Sequence, residues 1–451
     1  MSSSRTLSED DRRHVWHPFT QMRKWEQSRP LIIAEGEGAL LKDVDGREYI
    51  DGVSSLWCNV HGHRRKEIDD AIRAQLGKIA HSTLLGLANE PSIELAGRLV
   101  EIAPDGLGRV FFSDDGSTAV EVALKMAFQY QRQRPDPRPG KTRFLALENS
   151  YHGDTIGSVG VGGIKLFHGI YEAMLMPSLF APSPYCYRCS LGKEPESCGM
   201  ACAAALEKMV EDHADELAAA VLEPLVQGAG GMITAPEGYL RRAREVTRRC
   251  DVLLIADEVA VGFGRTGRMF ACEHEDVCPD LLALSKGISG GYLPLAATLA
   301  TDEIYNAFLG EPDEYKTFYH GHTYTGNPLA CAAGVANLEV FESDRTLEKL
   351  KPKIERLARH LEEIVSLAHV GDVRRRGFIA GIELVEDRRT REAYPPAIRM
   401  GAKVAMAARP RGAIIRPLGD VVVVFPPLCI TGEQLDALMS AVRGSIEECC
   451  P

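Results

Sequence analysis

Short apolar runs alternate with amphipathic helical segments between about residues 60 and 335, and this alternation limits the fold more than any other feature. Buried strands that are separated by helices are typical of a doubly wound α/β domain, because a parallel pair of strands needs a crossover connection. We therefore predict an α/β fold with a mostly parallel sheet at its centre. The candidate strands are 109–113, 144–147, 219–223, 252–256, 281–284 and 295–300.

The two ends of the chain have different patterns. A polar and aromatic arm is followed at 31–52 by alternating residues with an Asp45-Gly46 hairpin signal, which predicts a small antiparallel sheet. Beyond about residue 340 the pattern predicts helices at 346–366, 396–408 and 432–448 and strands at 377–384 and 421–425. These patterns predict three segments: an N-terminal arm with a small-domain sheet segment (1–60), a large domain (61–335) and a smaller C-terminal α+β domain (336–451).

Composition excludes several classes of protein. The net charge is -11 and the pI about 5.7, whereas nucleic-acid binding normally needs a basic surface. The first sixteen residues are polar and charged, unlike a signal peptide, and no run approaches the ~18 apolar residues of a membrane span. We expect a cytoplasmic protein with no nucleic-acid or membrane partner.

Two ionisable residues follow neighbouring apolar runs. Asp257 ends the run LLIAD, and Lys286 follows the run at 281–285. Ligands of parallel α/β sheets bind at the carboxyl ends of strands, where both side chains are expected. An electron-sink cofactor needs an amine that forms an imine and an anion that keeps a pyridine nitrogen protonated. Either residue alone could be a salt-bridged strand end, but the pair with its glycine-rich surroundings predicts such a site.

Two further segments could bind parts of a cofactor. The segment 113–118 (SDDGST) lies between a predicted strand and a helix, so that the N–H groups of Gly116 and Ser117 could bind an anion. An ordinary helix N-cap is the alternative for this segment. Tyr151-His152 follows the next predicted strand and could place an aromatic face over a planar ring, although simple packing is as compatible with the dipeptide.

The segment 262–267 (GFGRTG) matches the dinucleotide pattern G-x-G-x-x-G. That pattern binds a dinucleotide only where a glycine-rich turn opens a helix, and the residues that follow (RMFACEHEDVCPD) have no apolar helical face. We therefore reject a nicotinamide site here, and a nicotinamide oxidoreductase remains only as a minor alternative.

Four of the twelve cysteines form a spaced group, Cys186, Cys189, Cys198 and Cys202. Paired cysteines at C-x2-C and C-x3-C spacing in a reducing compartment could hold zinc or an iron–sulfur cluster. Two disulfides or four free thiols are the alternatives, and a cysteine-cluster redox protein is the functional class that this segment keeps open.

Together these residues resemble the class III aminotransferases, which are fold-type-I pyridoxal-phosphate enzymes. The match is densest at DEVAVGFGRTG (257–267) and SKGISGG (285–291) and covers nearly the whole chain. The resemblance implies a large domain with a mostly parallel seven-stranded sheet and pyridoxal 5'-phosphate held by Lys286 as a Schiff base. It implies Lys286, Tyr151 and Asp257 as catalytic residues. The implied cofactor-binding residues are Gly116, Ser117, Tyr151, His152, Glu223, Asp257, Lys286 and Thr323.

The same resemblance implies a homodimer with shared active sites. In the loop 321–328 (GHTYTGNP), Thr323 would reach the phosphate bound to the neighbouring subunit. The partners of such an enzyme are a small-molecule amino donor and a keto-acid substrate. The implied substrate-binding residues are Phe19, Leu56, Trp57, Tyr151, Gly321 and Arg416, with Arg416 as a bidentate carboxylate clamp.

Finer features resemble the family members that aminate 8-amino-7-oxononanoate in biotin biosynthesis, notably WHPFTQM (16–22) and RPLGD (416–420). A general ω-amino-acid:2-oxo-acid aminotransferase is the nearest alternative. Members that use S-adenosylmethionine as donor tend to carry Tyr where this chain has Phe19 and Trp where it has Leu56. These two departures favour lysine as the amino donor, and the choice stays open.

Overall fold

The computed structural model describes residues 4–450, which form an α/β protein. The strands are β1 (Ile33–Glu37), β2 (Leu40–Asp43), β3 (Glu48–Asp51), β4 (Leu107–Ser113), β5 (Arg143–Leu147), β6 (Leu179–Ala181), β7 (Leu217–Leu222), β8 (Val226–Gln227), β9 (Ile233–Thr234), β10 (Leu253–Asp257), β11 (Leu281–Leu284), β12 (Ala296–Thr301), β13 (Val370–Arg376), β14 (Ile379–Leu384), β15 (Ala413–Ile414), β16 (Arg416–Leu418) and β17 (Val421–Val424).

The helices alternate with these strands through the centre of the chain. They are α1 (Ser4–His14), α2 (Met22–Glu26), α3 (Ser54–Trp57), α4 (Lys66–Leu76), α5 (Glu90–Ile102), α6 (Gly116–Gln133), α7 (Ile156–Gly160), α8 (Lys165–His168), α9 (Ala201–Asp212), α10 (Tyr239–Arg249), α11 (Asp302–Ala307), α12 (Pro328–Ser343), α13 (Thr346–Ile364), α14 (Met400–Ala408) and α15 (Gly432–Cys449). Across residues 4–450, none of these helices is both long enough and apolar enough to cross a membrane.

The central sheet has seven strands in the order β4-β12-β11-β10-β7-β5-β6. Strand β12 runs antiparallel to both of its neighbours, and the other pairings are parallel. Strands β7 and β11 are buried at every position, as expected for apolar strands covered by helices on both faces. The predicted mostly parallel seven-stranded sheet is therefore confirmed.

Two smaller sheets flank the central one. The predicted N-terminal antiparallel sheet is present as β1-β2-β3, and β3 is extended by a parallel pairing with β15 from the C-terminal part of the chain. The C-terminal sheet has the order β13-β14-β17-β16 and is antiparallel. The N-terminal segment is thereby joined to the C-terminal segment through strand pairing.

Some predicted elements begin or end elsewhere in the structure. Helix α14 begins at Met400 rather than at 396, because the preceding residues, which include Pro395 and Pro396, form turns. Six strands were not predicted: β6, β8, β9, β13, β15 and β16. All but β13 have only two or three residues, and β13 (VGDVRRR) is too charged for an apolar pattern to reveal it.

Candidate active site

A cavity of about 480 Å³ lies at the carboxyl ends of four neighbouring parallel strands of the central sheet. Asp257 ends β10, Glu223 follows β7, Tyr151 comes four residues after β5, and Lys286 comes two residues after β11. The cavity is lined by all four side chains. The sheet topology thus brings together residues that are up to 135 positions apart, since 286 - 151 = 135.

Lys286 is half-buried at the base of this cavity, with its amine shielded from water. Its backbone has φ +46°, in the left-handed region, and its Nζ lies 5.1 Å from the centre of the Trp57 ring. Burial lowers the pKa of Lys286, because the loss of hydration outweighs the attraction of Asp257 and Glu223. A buried amine with a lowered pKa is more often neutral at physiological pH, and the neutral form is the nucleophile.

Asp257 and His152 form a buried pair. Nδ1 of His152 lies 2.7 Å from Oδ2 of Asp257, and Oδ1 of the same carboxylate accepts a hydrogen bond from the N–H of Val259 at 3.0 Å. Burial by itself lowers the pKa of His152, but the hydrogen bond and charge of Asp257 outweigh it and raise that pKa. Nε2 of His152 is buried without a hydrogen-bond partner among the described residues.

Glu223 is a second buried carboxyl group beside this pair. Its oxygens accept hydrogen bonds from the N–H groups of Tyr151, at 3.1 Å, and Gly228, at 2.8 Å. Burial and the nearby charge of Asp257 raise the pKa of Glu223 to about 7. The cavity base therefore contains one amine and two carboxyl groups in a region of low hydration, which is typical of sites where protons move.

The N-terminus of helix α6 forms one wall of the cavity. Asp115 is the N-cap and accepts a hydrogen bond from the N–H of Thr118, so the segment does form the helix N-cap that was the alternative prediction. The N–H groups of Gly116 and Ser117 belong to the first turn and have no carbonyl partner within the helix. A Cβ on Gly116 would lie 2.6 Å from Val259, so only glycine fits where the backbone approaches the cavity. Capping and anion binding are compatible, because the cap uses the N–H of Thr118 and leaves those of Gly116 and Ser117 available.

These residues fit pyridoxal phosphate on structural grounds. The helix N-terminus suits a phosphate, and the buried carboxylate Asp257 suits a protonated ring nitrogen. Lys286 provides an amine in the same cavity, and Tyr151 provides an aromatic side chain on its wall. The four chemical requirements of that cofactor thus meet in one 480 Å³ space.

Asp154 is a cavity neighbour that the sequence analysis missed. The hydroxyl of Tyr151 donates to Oδ2 of Asp154 at 2.7 Å, and the N–H of Asp154 donates to Oγ of Ser117 at 2.8 Å. Burial and this hydrogen bond raise the pKa of Tyr151. Asp154 thus connects the aromatic wall to the helix N-terminus, and its place three residues after Tyr151 was the available signal.

Three residues that were predicted to bind substrate lie in or near the cavity and come from distant segments of the chain: Leu56, Phe19 and Arg416. Leu56 lines the opening and is 45% exposed, while the adjacent Trp57 is buried. Phe19 packs against Phe167, with ring centres 5.3 Å apart, in an adjoining pocket. Arg416 on β16 is half-buried and does not line the cavity. Its positive charge is close enough to Tyr151 to oppose the rise in the pKa of that residue, and none of the described residues forms an ion pair with it.

The loop that contains Gly321 and Thr323 lies outside the cavity of the same chain. Both residues are exposed, and neither lines the cavity. Between them, Nδ1 of His322 lies 2.6 Å from Oδ2 of Asp114, which does line it. The structure thus brings the loop beside the cavity wall without placing Gly321 or Thr323 in it.

Arg265, in the GFGRTG segment, is buried, donates to the carbonyl of Pro426 at 2.6 Å and stacks on Phe425 at 4.0 Å. This segment is followed by a short 3₁₀ helix (Ala271–Glu275) instead of a long helix, in agreement with its rejection as a dinucleotide motif.

The four spaced cysteines are free and half-buried. Within residues 4–450, no group of three or more His, Cys, Asp or Glu side chains is arranged to hold a metal ion. The prediction of zinc or an iron–sulfur cluster at Cys186, Cys189, Cys198 and Cys202 therefore gains no support from the structure.

Comparison with known proteins agrees with this geometry. The family model for aminotransferase class-III matches residues 21–446. The chain is 56% identical over 444 residues to adenosylmethionine-8-amino-7-oxononanoate aminotransferase of Geobacter sulfurreducens, covering 98% of each chain. It is 59% identical over 447 residues to the protein of that name from Nitratidesulfovibrio vulgaris, covering 99% of this chain and 82% of the relative.

Solved structures show the same relationship. The crystal structure of adenosylmethionine-8-amino-7-oxononanoate aminotransferase from Methanocaldococcus jannaschii superposes with a TM-score of 0.94 at 46% identity, covering 99% of each chain. A thermostable omega transaminase from Pseudomonas jessenii also has a TM-score of 0.94, at 30% identity, covering 99% of each chain. These matches exclude the oxidoreductase and cysteine-cluster alternatives as the main function, and the chain belongs to the class III aminotransferase family.

Proposed function

We propose that this pyridoxal-phosphate-dependent aminotransferase converts 8-amino-7-oxononanoate to 7,8-diaminononanoate, a step of biotin biosynthesis. The observation that carries the proposal is the buried amine of Lys286 in one cavity with Asp257 and the N-terminus of α6. The choice of substrate is supported by relatives at 56% and 59% identity whose names specify 8-amino-7-oxononanoate. A general ω-amino-acid specificity has less support, because the omega transaminase structures are at about half that identity.

The cofactor is held at its two ends in this proposal. The N–H groups of Gly116 and Ser117 would bind the phosphate, and the Asp257 carboxylate would pair with the ring nitrogen while His152 keeps that carboxylate oriented. Tyr151 would supply an aromatic side chain for the ring. When bound, pyridoxal phosphate supplies an aldehyde that condenses with amines and a ring that withdraws electrons.

Lys286 acts as the nucleophile and the proton carrier. Because burial lowers its pKa, the amine can take a proton from the amine-bearing carbon of the donor, which becomes a carbonyl carbon. In the second half of the reaction it can give a proton to the carbonyl carbon of the acceptor, which becomes the new amine-bearing carbon. Glu223, with a pKa of about 7, can offset positive charge at the cavity base when it is ionised, and a protonated His152 favours that ionised form.

The substrate is recognised at the opening of the cavity. The guanidinium of Arg416 has no ion-pair partner among the described residues and binds the substrate carboxylate in a bidentate manner. Leu56 and Phe19 contact the chain of the substrate or donor, and Trp57 forms the inner wall above Lys286.

The enzyme acts as a homodimer with shared active sites. Thr323 and Gly321 are exposed beside large exposed apolar side chains, among them Leu85 and Tyr319, which are 72% and 73% exposed. An apolar surface of this kind is typical of a subunit interface. Thr323 then binds the phosphate in the neighbouring subunit. Heterodimers of Lys286→Ala and Thr323→Ala chains are expected to regain one intact site, and full activity of a monomer in sedimentation experiments would contradict the dimer.

One experiment tests the proposed reaction. Purified holoenzyme is incubated with 8-amino-7-oxononanoate and either lysine or S-adenosylmethionine, and 7,8-diaminononanoate is measured by mass spectrometry. Formation of that product with at least one donor is expected. No product with either donor, combined with turnover of simple ω-amino acids, would contradict the assignment.

Three further sequence predictions remain to be tested. The segments 1–60, 61–335 and 336–451 are proposed to act as arm, large domain and small domain, and the protein is proposed to be cytoplasmic. A metal at the four spaced cysteines stays a prediction that elemental analysis of anaerobically prepared protein checks. Less than half an equivalent of zinc or iron per chain would end it.

A further inference from the structure

The turn that follows Lys286 is held by a residue of another helix. The carbonyl groups of Gly287 and Ile288 both accept hydrogen bonds from Nδ2 of Asn337, at 3.0 and 3.2 Å. Lys286 itself has a left-handed backbone, which is unfavourable for a residue with a Cβ and persists only when the surroundings impose it. Asn337 is thus bonded to the two peptide groups that come directly after an unfavourable conformation.

Asn337 is unusual for its position in helix α12. The helix is largely apolar and buried, and Asn337 is 0% exposed within it. A buried amide is unfavourable unless its donors are used, and here both recorded hydrogen bonds of Nδ2 go to the lysine turn. Its Oδ1 has no hydrogen-bond partner among the described residues. The hydrogen bonds of this side chain therefore serve the lysine turn and not the helix itself.

The close approach of the turn to Asn337 also requires glycine. Gly290 has φ +65°, and a Cβ there would lie 2.8 Å from Oδ1 of Asn337. A side chain at this position would push the amide away from the two carbonyls. The turn formed by KGISGG (286–291) thus fits the Asn337 side chain in two ways: its carbonyls accept hydrogen bonds from the amide, and Gly290 leaves room for it.

The backbone of Asn337 makes a second connection to the cavity. Nε2 of His61 lies 3.1 Å from the carbonyl oxygen of Asn337, and burial lowers the pKa of His61 to about 4. The ring is therefore neutral and donates its one N–H to that carbonyl. His61 comes four residues after Trp57, whose ring faces the Lys286 amine. Asn337 is consequently hydrogen-bonded to the turn after Lys286 through its side chain and to His61, near Trp57, through its backbone.

We propose that Asn337 is a positioning residue for Lys286, because its amide holds the turn that directs the lysine side chain into the cavity. This inference rests on the proposed role of Lys286 as the reactive amine. Asn337 touches neither substrate nor cofactor and acts only through the lysine. Its loss leaves the carbonyl of Ile288 without a hydrogen-bond partner among the described residues and leaves that of Gly287 only the N–H of Gly290. The left-handed turn can then relax, so that the amine becomes more hydrated.

The test uses protein freed of cofactor and needs no turnover. In Asn337→Leu, amide hydrogen exchange in 286–291 is expected to be about tenfold faster than in wild type. The pH midpoint for acetylation of Lys286, followed by peptide mass mapping, is expected to rise towards that of an ordinary lysine. Gln131→Leu is the matched control, because Gln131 is equally buried and donates to the carbonyl of Ala218 at 3.2 Å, away from the cavity.

A second variant keeps the shape of the side chain. In Asn337→Asp the carboxylate cannot donate a hydrogen bond, but the protonated acid can, so protection of the turn is expected to recover as the pH falls. This variant decides the matter if Asn337→Leu does not fold. Wild-type exchange and an unchanged Lys286 midpoint in a folded variant would overturn the proposal. Absence of aminotransferase activity in the wild type would refute the proposed function without affecting this measurement.

Discussion

The base and the opening of the active-site cavity are built in different ways. The base consists of Lys286, Asp257, His152 and Glu223, four ionisable residues at the ends of neighbouring strands of one sheet. The last three are buried, and Lys286 is half-buried with its amine shielded from water. At the opening, Leu56 of α3 lines the cavity, and three further predicted contacts lie outside its lining: Phe19 of the N-terminal arm, Arg416 of β16 and Thr323 of a loop. All four are partly or fully exposed.

This difference separates chemistry from specificity. A buried group cannot change without leaving another charge unpaired, so the base tolerates little variation. An exposed side chain can be replaced at small cost in stability, so the opening can be adapted to another substrate. A sixfold mutant of an omega transaminase superposes with a TM-score of 0.94 at only 30% identity, so the fold itself tolerates wide variation in sequence. The following variants test this distinction, from the largest expected effect to the smallest.

Lys286→Ala is expected to abolish multiple turnover while the chain still folds. The amine supplies both the nucleophile and the proton carrier, and no other lysine lines the cavity in residues 4–450. Activity is measured with 8-amino-7-oxononanoate, and folding is checked by circular dichroism. Full multiple-turnover activity in this variant would refute the assigned role of the base.

Asp257→Asn is expected to retain cofactor but to raise the barrier by about 3 kcal/mol, roughly a hundredfold in kcat. The neutral amide no longer favours a protonated ring nitrogen, so the ring withdraws electrons less strongly. Cofactor content is measured in parallel by absorbance, which separates slow chemistry from lost binding. A rate equal to that of wild type would remove Asp257 from this role.

Arg416→Ala is expected to raise KM for a carboxylate-bearing substrate by roughly ten- to a hundredfold, with a smaller effect on cofactor affinity. The variant removes a charge-assisted pair at the opening and leaves the base intact. Arg411→Ala is a suitable control, because Arg411 pairs with Glu448 outside the cavity. An equal loss with substrates that lack a carboxylate would indicate a structural role for Arg416.

Leu56→Trp is expected to change the preferred amino donor by a few-fold and to leave the base unaffected. Leu56 offers no aromatic face for a purine ring, so lysine is predicted to be the better donor of the wild type, and a Trp side chain is predicted to favour S-adenosylmethionine. The half-reaction rates with the two donors are compared by stopped-flow absorbance. A wild-type half-reaction that is faster with S-adenosylmethionine, as the names of the relatives suggest, would overturn the lysine prediction.

Six of the seven strands of the central sheet were predictable from the sequence, because buried strands are continuous apolar runs. Asp257 and Lys286 lie at the ends of two such runs, and the structure places both in one cavity. Local pattern was therefore sufficient for these parts. It was also sufficient to reject GFGRTG as a dinucleotide site, since the residues after it cannot form an apolar-faced helix.

Contacts between side chains and between distant segments could be read only from the folded structure. Asp154 bonds to Tyr151, and Asn337 bonds to the turn after Lys286. Strand β15 pairs with β3 across more than 350 residues, for example Ala413 with Ile50. A single buried Asn in an apolar helix, or a two-residue strand, carries no periodic signal. The role of such a residue or strand depends on which backbone groups lie next to it in space, and these neighbours are determined by the packing of the folded chain.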